Sequence, residues 1–473
     1  MLTACYFLCE IQGMKDTDMP LLTTRKITTG APEIEVRSRA PAATAKRMRF
    51  LLSSWGSYGD LHPFLALGHG LQARGHEVTL VGHPDWAADT ATAGIRFVST
   101  GEPPRDDFIR DHPDVLSMKW GGLVSLHTLV HQAIAPGFDP TMAALLAEAP
   151  NHDAIIAHHF TFPAPIVAEL TGLPFATISL APGVVPSAYS LPGANFRQAG
   201  QGFLGRAANQ FIWSAGKLIS RVMVDPVVNR LRARHGLRPA RDVIFEAHSP
   251  LLNLQLYSEH FAARPPDWSP EKQLAGFCYF DPPGAALSPV LDSFLSSGDP
   301  PILFTLGSVA VQQPGAFFQS AVGVLQKAKL RGVLLIGPEQ NRPAHLPGTI
   351  FATSYAPYGL LMPRVRAVVH QCGVGTLSHT LRAGVPSVAC PFAFDQPNNA
   401  RRLEALGVAE VVLPHQHDAH HIGAALQRLL ASEALTRAQR LGGLIRVEDG
   451  VAQACAILEK TLTVGQSATS PFS

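Results

Sequence analysis

Short, β-branched apolar runs alternate with helix-like stretches twice over in this chain, and that rhythm leaves few folds open. The first series is RFLLSSW, EVTLVGH, IRFVST, AIIAHH and FATISL; the second is PILFTLG, RGVLLIG, TIFATSY, AVVHQC, SVACPF and AEVVL. Stretches of helical period, such as His62 to Arg74 and Pro163 to Thr171, separate the runs. Strand, helix, strand in that order implies right-handed crossovers and a parallel sheet covered on both faces. Two such series predict an α/β protein of two doubly wound, Rossmann-like domains facing a central cleft. Functional loops are then expected at the carboxyl ends of the strands. The expected divisions are a first domain over 48–281, a Pro/Gly/Ala-rich linker over 282–288, a second domain over 289–445 and a C-terminal helix and tail over 446–473. A long helical segment, Phe203 to His235, is expected to break at Pro226. Residues 1–47 have neither helical nor strand period and are expected to be a disordered extension ahead of Met48.

Charge and composition exclude several classes. With 38 basic and 36 acidic side chains the net charge is +2, too even for a protein that grips a nucleic-acid backbone. No apolar run approaches the ~18 residues that cross a bilayer. The six cysteines form no Cys-x-x-Cys pair, which argues against a disulfide scaffold and a structural zinc site. The opening MLTACYFLCEIQG lacks a basic leading region and makes a poor signal peptide. A cytoplasmic enzyme is expected, with peripheral contact at a membrane as a second option.

Two loops stand out. GSYGD, Gly56 to Asp60, follows the first strand, and a helix expected to begin at His62-Pro63 aims its amino end there. The spacing is not G-x-G-x-x-G and the second strand does not end in an acid, so a nicotinamide site is not expected. Asp60 reads equally as a helix-capping carboxylate or as a base in the cleft. The second stretch, His370 to Gln396, reads HQCGVGTLSHTLRAGVPSVACPFAFDQ. Gly373 and Gly375 strip side chains from the turn after a strand. Thr376 is expected to open a helix whose unpaired amides suit a diphosphate. Asp395-Gln396 offers acceptor and donor atoms to sugar hydroxyls. His158, with His159, ends a strand and reads as lining the cleft or as a packed residue. His415, His417, His420 and His421 read as an exposed loop, and no metal is expected. The basic run Arg230 to Arg241, RLRARHGLRPAR, reads first as a solvated helix face and second as a contact for an anionic surface.

GSYGDLHPFLALGHGLQARGHEV from Gly56, HQCGVGTLSHTLRAGVP from His370 and FDQPNNARRLEALG from Phe394 resemble family 1 glycosyltransferases of the GT-B fold. The style is that of the bacterial branch holding macrolide, glycopeptide, sterol-type and rhamnolipid enzymes, and the resemblance runs from about Met48 to Leu462. It implies an acceptor domain first and a donor domain second. Asp60 falls at the position of the acceptor's proposed general base. Gly307 and Ser308 fall in the loop that meets the diphosphate, and Tyr355 and Ala356 in the segment that holds the nucleobase. His370, Gln371, Gly373, Gly375 and Thr376 match the phosphate-binding helix start, and Asp395 and Gln396 the pair that grips the donor sugar.

There are departures. Tyr355 stands where many members have Trp, Gln371 where many have a diphosphate-contacting His, and Ser378 where many have a ribose-holding Glu. His62, His127, His158 and Phe160 are expected at the acceptor. A hydrophobic acceptor of lipid, sterol, polyketide or flavonoid type is read from Phe160, Phe162, Pro163, Val184, Val185, Tyr189 and Phe196. The implied activity is inverting, metal-independent transfer of a hexose or deoxyhexose from a UDP- or dTDP-sugar, with no further cofactor. A sugar-nucleotide epimerase would need more cleft acids, and a non-catalytic partner of the same fold would have lost Asp60 and the Asp395-Gln396 pair.

Overall fold

The computed structural model describes residues 47–102, 108–116, 122–191, 202–246 and 248–464. Most of the leading extension, Phe196 and the last nine residues lie outside the described residues.

The first series folds into β1 (Arg49–Ser53), α1 (Tyr58–Ala73), β2 (Glu77–Gly82), β3 (Arg96–Ser99), β4 (Ala154–His158), α2 (Pro163–Thr171), β5 (Phe175–Ser179), α3 (Phe203–Met223), α4 (Asp225–Arg234), β6 (Leu252–Gln255) and β7 (Lys272–Leu274). The second gives β8 (Ile302–Thr305), α5 (Phe317–Ala328), β9 (Gly332–Leu335), β10 (Ile350–Thr353), β11 (Ala367–His370), α6 (Val374–Ala383), β12 (Ser387–Ala389), α7 (Gln396–Ala405), β13 (Ala409–Val411), α8 (Ala434–Arg446) and α9 (Gly450–Val464). Further helices, among them Phe138–Glu148, Pro289–Ser296 and Ala419–Ala431, and short helical turns connect them.

Two sheets result, in the orders β3-β2-β1-β4-β5-β6-β7 and β10-β9-β8-β11-β12-β13. Adjacent strands are parallel throughout, with Leu51 between Thr79 and Ile155, and Val368 beside Leu303. Central strands such as β4 are buried along their whole length, which is why they read as continuous apolar runs rather than alternating ones. Strand order reverses between β1 and β4 in one sheet and between β8 and β11 in the other. Ligands bind α/β sheets at such switch points. The loops after β1 and β11 are the two that the sequence singled out.

The helical segment from Phe203 breaks at Val224, and Pro226 falls in the first turn of α4, where its missing N–H costs no helical bond. The last helix, α9, packs back on the first sheet: Ala454, Cys455, Leu458 and Leu462 join Phe64, Leu67 and Leu71 in one core. Glu459 accepts from Arg74 Nε at 2.7 Å and lies 2.8 Å from His76 Nε2, fixing that return. A further core joins the halves, with Tyr257, Trp268 and Phe277 packed against Leu377, Leu381 and Leu403.

Candidate active site

Helix α1 begins at Tyr58, one turn before the expected start at His62-Pro63. The reason is a reciprocal cap. Ser57 is the N-cap and Asp60 the third helical residue. Ser57 Oγ accepts from Gly59 N at 3.2 Å, while Asp60 Oδ2 accepts from Ser57 N at 2.7 Å and from Ser57 Oγ at 3.0 Å. Asp60 is therefore not the N-cap itself. One carboxylate oxygen holds the helix start; the other, Oδ1, lies 3.7 Å from His158 Nε2. The turn needs glycine at Gly56, where φ is +129° and an added Cβ would meet Asp60 Oδ2 at 2.3 Å. Gly56→Ala is expected to push Asp60 out of the cap, costing about 1–3 kcal/mol of stability. Thermal melting reads that cost, and turnover should fall with it.

His158, at the end of β4, and His159 are both buried, and none of their four ring nitrogens has a hydrogen-bond partner among the described residues. Burial pulls the His158 pKa below its ordinary value, with the charge of Asp60 opposing. His159 is held further down by burial and by His158 and His248 beside it. Both rings are therefore neutral near pH 7. Their centroids are 4.2 Å apart, and Phe160 lies 5.7 Å from His158 and 4.1 Å from His159. Phe160 also meets Trp55 edge-on at 6.4 Å. Trp55 and Phe160 line a small recess with Ile134, Phe138, Thr161 and Glu102.

Other expected acceptor residues fall elsewhere. His62 packs with Tyr58 and Phe280 rather than with His158 or Phe160, because it points off a different side of α1 from Asp60. His127 is exposed and stacks with His131 at 4.4 Å. Val185 is fully buried in the core between the halves and presents no surface.

Across the cleft, α6 begins at Val374, two residues before Thr376, with Gly373 as its N-cap. Its first turn faces that of α1: a Cβ on Gly375 would come within 3.4 Å of Gly59 Cα. Two helix amino ends thus converge on one place; the cap occupies the first amides of α1, so those of α6 are the ones open to a ligand. Thr376 and Gln371 are buried there, with Gln371 Nε2 3.4 Å from Thr376 Oγ1 and Gln371 Oε1 unpartnered among the described residues. Gly307 gives room for that amide: its φ is +64° and a Cβ would lie 2.2 Å from Gln371 Nε2. Ser308 follows in the same loop. His370 has no ring nitrogen to spare. Nε2 lies 3.0 Å from Ser387 Oγ, and Nδ1 accepts from Cys372 N at 3.1 Å. Burial lowers its pKa to about 3, so it holds the turn as a neutral acceptor.

Asp395 stands at the N-cap position of α7 without a side-chain capping bond and accepts from Asn399 Nδ2 at 2.6 Å. Half-buried, its carboxyl is pushed up to about 7, first by burial and then by the charge of Asp60 across the cleft, against the Asn399 bond. Gln396 spends its amide oxygen on Phe392 N at 2.8 Å and Ala393 N at 3.2 Å, which leaves Nε2 as the atom for a ligand. Phe394, directly before the pair, sits in the left-handed region at φ +61°, a strained backbone typical of a ligand loop.

Tyr355 is 65% exposed and, with Ala356 and Pro357, borders an open cavity of about 390 Å³. The facing wall is Pro282 and Ala285 to Ser288, a stretch the sequence offers only as a linker. Ser378 is buried with its hydroxyl donating to Gly375 O at 2.8 Å, so it turns into its own helix.

Comparison with known proteins agrees with this geometry. Residues 50–190 match the glycosyltransferase family 28 N-terminal domain, and residues 330–443 the erythromycin biosynthesis protein CIII-like C-terminal domain. The chain is 31% identical over 439 residues to O-mycaminosyltylonolide 6-deoxyallosyltransferase of Streptomyces fradiae, covering 90% of this chain and all of that one. It is 27% identical to a sterol 3-beta-glucosyltransferase of Arabidopsis thaliana, over 88% of this chain and 66% of the relative. Among solved structures, the glycotransferase of kitacinnamycin superposes with a TM-score of 0.66 at 21% identity, over 88% of this chain and 100% of that one. The glycosyltransferase VinC, solved with dTDP, gives 0.64 at 19% identity, over 89% and 100%. Both share the fold of two facing Rossmann-like halves. Among the described residues no helix is long and apolar enough to cross a membrane.

Proposed function

This chain belongs to the family 1-type glycosyltransferases of the GT-B fold, hexose-transferring enzymes that draw on a nucleotide diphosphate sugar, and from that premise we propose an inverting transfer to the hydroxyl of an apolar acceptor in the cleft. The observation that carries it is the convergence of the α1 and α6 amino ends, with Asp60 on one side and Asp395-Gln396 on the other.

The acceptor oxygen forms the new bond to the anomeric carbon. The bond from that carbon to the diphosphate breaks, and its electron pair leaves with the nucleoside diphosphate. The hydroxyl proton goes to Asp60 Oδ1, the oxygen not held by Ser57. A carboxylate is a weak base for an alcohol. Alignment in the cleft therefore supplies much of the rate, and the proton moves late. Charge on the leaving diphosphate is met by the amide ends of the helix at Gly373, by Thr376 and by the loop at Gly307-Ser308. Asp395 accepts from donor-sugar hydroxyls and Gln396 Nε2 donates to them.

The apolar wall of Trp55, Phe138 and Phe160 supports an apolar acceptor, and the macrolide and sterol relatives support that class. Epimerase chemistry finds no support, since the relatives named are transferases. A non-catalytic role fits poorly with Asp60 and Asp395-Gln396 both in place.

For the nucleotide, we propose dTDP. Ser378 supplies no carboxylate for a ribose 2′-hydroxyl, so the reward for UDP is missing, and VinC was solved with dTDP. Calorimetric titration should show dTDP binding at least as tightly as UDP. UDP binding tenfold tighter would overturn the choice of nucleotide, and binding of neither would overturn the donor site.

A further inference from the structure

Helix α3 reverses the usual order of a surface helix. Its inner face is partly polar: Asn209 Nδ2 donates to Ala188 O at 2.8 Å and Trp213 Nε1 to Ser190 O at 2.7 Å. Its outer face carries Phe203, Leu204, Phe211, Leu218 and Val222, each between 59% and 81% exposed. The residues exposed between them include Ala207, Ala208 and Ala215, so the stripe is continuous over the length of the helix. Single exposed apolar residues are ordinary, but five large ones aligned on one helix mark a contact surface.

Charge decides what the contact is. From Phe203 to Met223 the charged residues are Arg206, Lys217 and Arg221, with no acid among them. From Phe203 to Glu246 there are eight basic and three acidic residues, an excess of five in a chain whose whole excess is two. Lys217 and Arg221 are paired with Glu246 and Asp242. Arg230, Arg238 and Arg241 are exposed and make no ion pair among the described residues. The three acids from Phe203 to Glu246 are engaged within the chain, Asp225 with Ser220 and two backbone amides, Asp242 with Arg221 and Glu246 with Lys217, so a second copy laid on α3 would offer no spare acid to these arginines. A layer of anionic lipid headgroups over acyl chains complements both the apolar stripe and the basic flank.

We propose that the outer face of α3, with Arg230, Arg238 and Arg241, seats this enzyme on an anionic bilayer. The inner face of α3 holds the segment Ala188 to Leu191, and Asn398 Nδ2, one turn after Asp395-Gln396, donates to Leu191 O at 3.3 Å. The lipid-facing helix is thus joined to the cleft, so a membrane-partitioned acceptor would enter beside the site. That purpose rests on the apolar-acceptor reading; the surface itself does not.

Sedimentation of the full chain with vesicles tests it. Phosphatidylcholine vesicles containing a third phosphatidylglycerol should carry down at least tenfold more protein than pure phosphatidylcholine, with the difference shrinking as salt rises. Leu204→Ser, Phe211→Ser and Leu218→Ser combined should abolish the binding while leaving turnover of a water-soluble acceptor unchanged. Should that variant not fold, Arg230→Gln, Arg238→Gln and Arg241→Gln combined should still lower binding roughly tenfold or more. Wild-type chain that stays in the supernatant overturns the proposal, as does vesicle binding indifferent to both variants. So does a solution dimer that the serine variant splits, which would assign the face to a second copy. The assay needs no sugar transfer, so a chain that binds vesicles but transfers nothing refutes the proposed chemistry and leaves this surface standing.

Discussion

Asp60→Asn should lower turnover by ~10²–10⁴-fold, the range for loss of a positioned general base, while the nucleotide still binds. The geometry makes this substitution discriminating because the two carboxylate oxygens have separate tasks. Oδ2 accepts from Ser57 N and Ser57 Oγ, and an asparagine carbonyl can take over both bonds. Oδ1 faces His158 and the cleft, and an amide nitrogen there takes up no proton. The stability cost should be confined to losing a negative charge at a helix amino end, about 0.3–1 kcal/mol. Paired measurement of kcat and Tm therefore separates the roles. A large fall in kcat with a small change in Tm assigns the base. Near-wild-type turnover would leave Asp60 as a cap alone, and Asp60→Ala would then show a loss in Tm without one in kcat.

Much of this arrangement was legible in the sequence because parallel strands buried on both faces leave an unmistakable apolar signature. The glycines after β1 and β11 marked the two functional turns, and at Gly56 the positive φ and the close approach of Asp60 require one. Two helices start earlier than the sequence suggests, at Tyr58 and Val374 instead of His62 and Thr376, because the reciprocal Ser57–Asp60 cap opens the first and Gly373 is the N-cap of the second. Side-chain direction was the larger gap. His62 lies two residues from Asp60, and helical positions two apart do not share a face. His370 looked like a ligand residue by position, yet Ser387 and the Cys372 amide consume both its nitrogens. Those partners come from elsewhere on the chain, so no local pattern announces them. Asn399 was missed although its signal was present: an amide four residues after Asp395 on one helix must face it. The wall that 282–288 builds opposite Tyr355 could not be read, since a linker's composition says nothing of what it packs against.

The acid limb of the pH profile should belong to Asp395. Its carboxyl sits at about 7, raised first by burial and further by Asp60, so below pH 7 the free enzyme holds it protonated and unable to accept from two sugar hydroxyls at once. Because kcat/KM reports ionisations of the free enzyme, it should rise about tenfold per pH unit up to pH 7 and then level off. Stability should run the other way. The folded pKa lies above the unfolded one, so the folded state binds more protons between about pH 4 and pH 7 and stability falls across that window. Above pH 7 the penalty is complete. Asp395→Asn removes it, so the variant should melt higher than wild type at pH 8 and close to it at pH 5, while losing sugar transfer at every pH. In Asp60→Asn the neighbouring charge is gone, and the midpoint of whatever kcat/KM remains should move below 7. A kcat/KM flat from pH 5 to 8 in the wild type, with saturable donor binding throughout, would mean that Asp395 does not meet the sugar as a carboxylate.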